Sequence, residues 1–581
     1  MKYSYILLAV MLLFTACKKD FLDSKPQGKL SDELLNTPDG IEALCVSAYA
    51  ALAGPEGDNL VFLSPTTNWI YGDVRAETAY KGGGGIGDIW EYHAFETFTG
   101  VFATNGLLDR KWFHLYRSVE RANNAIRRLN AVSEAEVPLK NSRLGEMKFL
   151  RAHYFFELNR LFNKIPYFDE NVAPEDYVKI SNDEFTRDQI LEKIAKELSD
   201  AADLLPVTQP QAGRVTKYAA KAYQAKVTLY RAYQQNVQNQ KTSVDANLMN
   251  QVIAVCDEVI ANGGYGLLDD FQKLSMAEYD NGKESVFAVQ YSKGDGTPNG
   301  RINWSNLLNA PKGPAYSGDG FFQPSQNLVN SYKTDANGLP QFDTYNKSNL
   351  MTVQDGFTNS VDPRLDFTVG RIGIRWKNFT VSPYAEDWAR EPATYGYYAT
   401  KKFLVSPESP YMVKGWPWGG SALNFTIIRY ADVLLWKAEA LIELGRQDEA
   451  VNLINEVRTR AKSSKYVLAW NNTSATDYAA NYRIDKYQPG VNCVWTQDYA
   501  RKALRFERKL ELAMEGERFF DLVRWGIADQ VLNQEYFAKE KQLRTYLKDA
   551  QFVKGRDEYF PIPQAQINFS GGLYKQNPGY N

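Results

Sequence analysis

The chain has 581 residues, with 67 Lys and Arg against 69 Asp and Glu, a formal net charge of −2. That balance argues against a nucleic-acid partner, which needs a basic face, and the 44% hydrophobic content excludes disorder by composition. Aromatic residues make up 13% (12 Trp, 36 Tyr, 30 Phe), whereas histidine is confined to His93, His114 and His153, which removes most zinc-hydrolase, Ser-His-Asp and Cys-His schemes.

At the N-terminus, Lys2 precedes an apolar run from Ile6 to Phe14, the size of a signal-peptide core and too short to span a bilayer. It leads into Phe14-Thr15-Ala16-Cys17, which resembles a bacterial lipobox with Phe where Leu is usual. Cleavage there removes residues 1–16 and leaves Cys17 for acylation, with Lys18-Lys19-Asp20 opening a polar tether over 17–40. Acyl chains at about 0.8 kcal/mol per buried CH2 then hold the protein on a membrane. The alternative is an ordinary secretory peptide with an incidental cysteine. Cys45, Cys256 and Cys493 are far apart and lack C-x-x-C spacing, so they read as free, buried thiols.

Helical periodicity dominates 41–290. Trp112, Leu115, Tyr116, Val119 and Ile126 share one face, and Met147, Leu150, Tyr154, Leu158 and Leu161 share another. Thr186 with Gln189 predicts a capping box for a helix that stops before Pro206. Thr216 precedes Ala219, Ala220, Ala222 and Ala225, small residues that let helices approach closely, and a helix over about Asn250 to Ala261 ends at Gly263-Gly264. A second helical block, 425–530, begins near Arg429 with a stripe of Tyr430, Val433, Leu434, Ala438 and Leu441. Its segment Ala438 to Ala450, with Leu444-Gly445 at the turn, resembles one tetratricopeptide unit. The repeats are degenerate, which favours a compact helical scaffold over a regular solenoid; residues 531–581 form a C-terminal segment. Between the blocks, 291–424 holds 11 of 24 prolines, 14 of 40 glycines and 5 of 12 tryptophans, and predicts loops with short strands. A shorter stretch of this kind, 54–106, centres on Gly82-Gly83-Gly84-Gly85.

Several motifs in order resemble the SusD/RagB-like outer-membrane lipoproteins of Bacteroidetes. They are Cys17-Lys18-Lys19-Asp20-Phe21-Leu22-Asp23, Arg121-Ala122-Asn123-Asn124-Ala125-Ile126, Gly145 to Phe155, Gly282-Lys283-Glu284-Ser285-Val286-Phe287 and Arg429 to Leu435. Glu507-Arg508, Glu515 to Trp525, Phe560-Pro561-Ile562-Pro563 and Gln576-Asn577-Pro578-Gly579-Tyr580 complete the set. The resemblance implies a mostly α-helical fold on about four tetratricopeptide-like helix pairs, with a loop-rich insertion. It also implies an extracellular-facing outer-membrane lipoprotein that captures glycan for a SusC-like TonB-dependent transporter, a binding protein and not an enzyme. The rival reading is an adaptor whose helix pairs bind a peptide or protein and whose aromatics are all core.

Glu507, Arg508, Glu511, Glu515, Arg518, Asp521 and Arg524 are dense enough for an active site, yet read better as an ion-pair network; Arg508–Glu511 and Arg518–Asp521 are spaced i,i+3 on a helical face. A glycosidase needs two carboxylates flanking a sugar; Asp73 with Glu77, or Asp295 with Asp319, are available, but no motif selects a pair. The run Gly294 to Gly300 around Asp295 hints at a Ca2+ turn but lacks the EF-hand pattern and reads as a plain turn, so no cofactor is expected. The aromatics are the better lead, because a pyranose stacks its C–H face on an indole or phenol ring while Asn, Asp, Gln or Arg fix its hydroxyls. Trp112, Trp436 and Trp525 sit in helical stripes and are core. Two loop clusters are candidate ligand sites: Asn68, Trp69, Tyr71 and Asp73, and then Asn303, Trp304 and Tyr316. Further candidates are Trp376, Trp388, Tyr395, Trp416 and Trp418.

Overall fold

The computed structural model describes residues 32–54, 60–297, 300–379 and 381–580; Cys17, the apolar run and most of the tether lie outside them. The fold is mostly α-helical, and its helices start where the sequence supplies caps. Thr37 caps α1 (Pro38–Ala50), and the Asn105 side chain accepts from the Leu107 and Leu108 amides at the start of α2 (Gly106–Ala131). After α3 (Lys140–Phe162) comes α4 (Arg187–Leu204), whose capping box is the expected one: Thr186 and Gln189 each accept the other's backbone N–H. Thr216 caps α5 (Lys217–Ala232). Asp245 caps α6 (Ala246–Asn262), which therefore begins a turn earlier than its apolar stripe suggests.

Successive helices from α2 to α6 pack on one another. The alanines at 219, 220, 222 and 225 of α5 are all but fully buried, which allows this close approach. α6 then packs on α7 (Tyr430–Glu443), and α7 on α8 (Gln447–Ser463) and α9 (Gln497–Glu511); α10 (Arg518–Trp525) follows. Gly445 makes the α7–α8 turn at φ +75°, a conformation that favours glycine. The helical array is thus continuous in space although the insertion divides it in sequence. Trp112, Trp436 and Trp525 are buried in its core, as their stripes predict. Cys45 and Cys256 are buried free thiols, and Cys493 is a free, partly exposed one.

Short strands β1 (Ala79–Gly82), β2 (Tyr233–Gln235), β3 (Lys241–Val244), β4 (Ser285–Val289), β5 (Phe321–Pro324) and β6 (Phe425–Arg429) pair antiparallel, β1 with β5, β2 with β3 and β4 with β6. The β4–β6 ladder joins the points where the chain leaves and re-enters the scaffold, and so closes the base of the insertion. Within it, loops wrap a second core that includes Tyr316, Trp376, Tyr384, Trp388 and Leu404.

The charged run of α9 and α10 is a buried ion-pair lattice. Arg364 links Asp362 (2.7 Å), Glu507 (2.6 Å) and Glu511 (2.9 Å), while Glu511 also holds Arg429 (2.9 Å) and Arg460. Burial pushes the Glu511 carboxyl up, but Arg460, Arg429 and Arg364 outweigh it and hold the group far below the usual carboxylate range. Arg364 and Asp362 belong to the insertion, Arg429, Arg460 and Glu511 to the scaffold, so the lattice fastens one to the other. The pairing differs from the helical i,i+3 expectation: Arg508 forks onto Asp521 (2.8 and 3.1 Å), and Arg518 reaches Glu77 (2.8 Å). Arg524 does keep an i,i+3 pair with Asp521 (2.9 Å), but Arg508 and Arg518 meet neighbours on other elements instead of the next turn.

Candidate functional site

The early segment is packed inside the protein and is not exposed as a loop surface. Asn68, Trp69, Tyr71 and Asp73 are all buried. Trp69–Asp73 is a single π-helical turn whose backbone lies against the scaffold, since a Cβ on Gly72 would stand 1.8 Å from the Gly516 carbonyl oxygen. Asn68 donates to Glu157 (2.6 Å) and accepts from Lys111 (3.2 Å). Asp73 accepts from Thr78 (2.9 Å) and from the Gly516 amide, and burial still pushes its carboxyl up to about 7. Tyr71 packs on Phe95 and Phe560. These aromatic and polar residues, which read as a sugar site in a loop, are the clamp between scaffold and insertion.

The second cluster divides. Tyr316 is buried, accepting from Trp376 Nε1 (2.9 Å) and donating to the Val405 carbonyl (2.7 Å). Trp376, Trp388 and Tyr395 are likewise buried: the two indoles pack in the insertion's own core, and Tyr395 packs on Tyr80 and Tyr546 in the main core. Asn303 is buried too, but both polar atoms of its carboxamide lack a partner among the described residues. Trp304, which opens the short 3-10 helix Trp304–Asn309, is partly exposed.

Trp304 meets Trp416 edge to face, with centroids 5.3 Å apart. Trp416 is 56% exposed, Trp418 46% and Tyr411 38%. All three ride on a hairpin held by the Met412–Ser421 bridge, by Val413 N–H to Gly420 O (2.9 Å), and by Lys293, whose ammonium donates to the carbonyls of Pro410 (3.0 Å) and Met412 (2.7 Å). The Asn303 amide donates to Ser421 O (2.9 Å), docking the hairpin beside Trp304. Gly419 permits the fit: its φ is +76°, and a Cβ there would sit 2.3 Å from Ala310 Cβ. The result is an aromatic ridge, the Trp304–Trp416 pair with Trp418 and Tyr411 exposed on the same hairpin.

The early segment supports this ridge from below. Trp69 Nε1 donates to Ser305 O (3.0 Å), Thr67 to Asn306 (2.9 Å), and the Thr66 amide to Ser305 Oγ (3.1 Å). A further exposed indole, Trp90 (51%), follows the four-glycine loop. Near it Arg390 bridges Asp88 (3.3 Å) and Asp319 (3.4 Å). The 310–320 loop joins the two places, with Gly419 packed on Ala310 and Gly320 on Arg390. Trp90 could have been found from the sequence, as an indole just after a glycine run that the core stripes do not include.

None of the considered acid pairs stands as two free carboxylates. Asp73 is enclosed, Glu77 is paired with Arg518 and Lys509, Asp319 with Arg390, and Asp295 closes a turn by accepting from Ser292 and Thr297. Among the described residues, no group of three or more His, Cys, Asp or Glu is placed to hold a metal ion.

Residues 283–580 match the family model described as "SusD family", and residues 20–229 match one described as "Starch-binding associating with outer membrane". The chain belongs to the SusD family. A SusD-like protein P2 of Formosa agariphila is 24% identical over all of both chains, and a SusD-like protein of Bacteroides ovatus is 25% identical over 99% of this chain and 91% of that one. Among solved structures, a laminarin-binding SusD-like protein superposes with TM-score 0.64 at 23% identity, covering 94% of this chain and 100% of the other. The surface glycan-binding protein A of Bacteroides thetaiotaomicron, in complex with laminarihexaose, gives 0.64 at 20% identity, covering 93% and 99%. These likenesses show that the SusD-family fold, tetratricopeptide-like helices carrying a loop-rich insertion, extends over nearly the whole chain.

Proposed function

We propose that this SusD-family protein is a cell-surface lipoprotein that captures an extracellular oligo- or polysaccharide and delivers it to a SusC-like TonB-dependent transporter. The observation that carries the reading is that Trp416 and Trp418 stand exposed on one hairpin, with the partly exposed Trp304 edge to face against Trp416. An open ridge stacks the apolar faces of successive sugars without enclosing a chain end, which suits a polymer. Asn303, next to Trp304, is buried with both polar atoms of its carboxamide unpartnered among the described residues, and would meet a sugar hydroxyl only after a side-chain rearrangement. The engagement of every considered acid pair supports binding without turnover. Acylation at Cys17 would anchor the protein, and the family description "Starch-binding associating with outer membrane" supports an outer-membrane location; the outward-facing orientation is part of the proposal.

The test is native affinity electrophoresis of the protein in gels containing laminarin, starch, xylan, mannan or pectin. Retardation by at least one polysaccharide with no release of sugar is expected. Free migration in all of them, with capture of peptides by the helical face, would favour the adaptor.

A further inference from the structure

A cavity of about 440 Å³ lies in the scaffold, between the start of α4 and the β2–β3 hairpin, on elements separate from the ridge. Its wall carries Asn163, Gln234, Gln235 and Asn236, four carboxamides, with Phe185 as an apolar surface. The charged groups there come in both signs, Lys164 and Arg187 with Asp183 and Asp188, so the lining has no net charge. Carboxamides carry both a donor and an acceptor, the pattern a hydroxyl needs; here Asn163 Nδ2 is spent on Asn239 (2.8 Å), Gln234 Nε2 on Asp188 (3.2 Å), and Asn236 Oδ1 accepts from the Gln238 and Gln240 amides (3.0 Å each), which leaves the other polar atom of each for a ligand. The volume falls within the range of small-ligand pockets, roughly 300–1,000 Å³.

The wall also contains orphaned polar atoms. Gln235 Oε1 accepts from Tyr559 (2.7 Å), which leaves Nε2 as a buried donor with no partner among the described residues. Gln235 and Arg187 also line a smaller void behind the first, of about 10 Å³, where the buried Tyr230 hydroxyl and Arg160 Nε are unpartnered as well. Leaving such groups unsatisfied is unfavourable.

We propose that this cavity is a second, independent ligand site, for a short neutral polyol of mono- or disaccharide size. Neutrality follows from the balanced charges, and the hydroxyl-rich class from the carboxamides. The size limit separates it from the open ridge: this cavity takes a free short sugar, not a polymer segment.

The test uses the full-length protein carrying Trp416→Ala and Trp418→Ala, so that the ridge is disabled, titrated calorimetrically with glucose, maltose, laminaribiose, cellobiose and xylobiose. At least one sugar should bind with one site per chain. Val237→Trp, on the exposed tip of the hairpin, should block the mouth and weaken binding about tenfold or more at unchanged thermal stability; Gln235→Leu should weaken it as much by removing the donor, with a lowered melting temperature because the buried Tyr559 hydroxyl loses its acceptor. If none of the sugars binds the ridge-disabled protein, or if binding ignores both cavity substitutions, the proposal is overturned. Polysaccharide retardation of the wild type is unaffected either way, so the two sites fail separately.

Discussion

Trp69 Nε1 donates to the Ser305 carbonyl at 3.0 Å, so a fully buried indole of the early segment holds the turn that displays Trp304. Its ring also meets Tyr92 and Phe322, with centroids 5.4 and 5.3 Å away. Trp69→Ala should therefore destabilise the protein by about 3–5 kcal/mol, as a core truncation does. Urea unfolding checks this; a change below about 0.5 kcal/mol would place Trp69 on the surface after all.

Gly419 should be intolerant for a local reason. Gly419→Val sets a β-branched side chain at φ +76° and drives it into Ala310, which displaces the hairpin tip carrying Trp416 and Trp418. Glycan affinity should fall at least as far as in Trp418→Ala. The helical scaffold is remote from the tip, so far-ultraviolet circular dichroism should stay at the wild-type signal.

Glu511 is the knot of the buried lattice. Glu511→Gln leaves Arg364, Arg429 and Arg460 short of one carboxylate, and breaking a buried pair costs about 3–5 kcal/mol. Chemical denaturation should show that loss. It should also show a broadened or two-step transition, because the same carboxylate joins the insertion to the scaffold.

Two buried acids give opposite pH signatures. Burial pushes Glu77 up, but Arg518 and Lys509 outweigh it and hold the group at about 2, against an ordinary 4.5. Its folded value is depressed, so its contribution is present above about pH 4.5 and is lost as pH falls toward 2. Asp73 is raised by burial from 3.8 to about 7, so the folded state holds its proton longer and stability falls as pH rises from about 4 to 7. Urea midpoints across pH should show Glu77→Gln flattening the acid limb and Asp73→Asn removing the decline toward neutrality.

Much of the scaffold was legible in the sequence because its signals are local. The Thr186–Gln189 capping box, the alanines of α5 and the stripes holding Trp112 and Trp436 each follow from spacing within one helix. The site was less legible because exposure depends on distant partners. Asn68 to Asp73 looks like a polar aromatic loop until Glu157, Ser305 and Gly516 arrive from far along the chain to bury it. Trp376 and Trp388 share composition and loop setting with Trp416 and Trp418, yet the first two close a small core and the others face solvent. Arg508 and Arg518 likewise choose partners on other elements over their i,i+3 neighbours.

The central claim is that the ridge binds glycan, and the most direct measurement compares wild type with Trp416→Ala/Trp418→Ala for affinity toward whichever polysaccharide retards the wild type. Both indoles are largely exposed, so thermal stability should stay within about 0.5 kcal/mol of wild type. Affinity should drop by about tenfold or more, the loss expected of aromatic hot spots. Unchanged affinity in the folded double variant would contradict the account and move the glycan site away from the ridge.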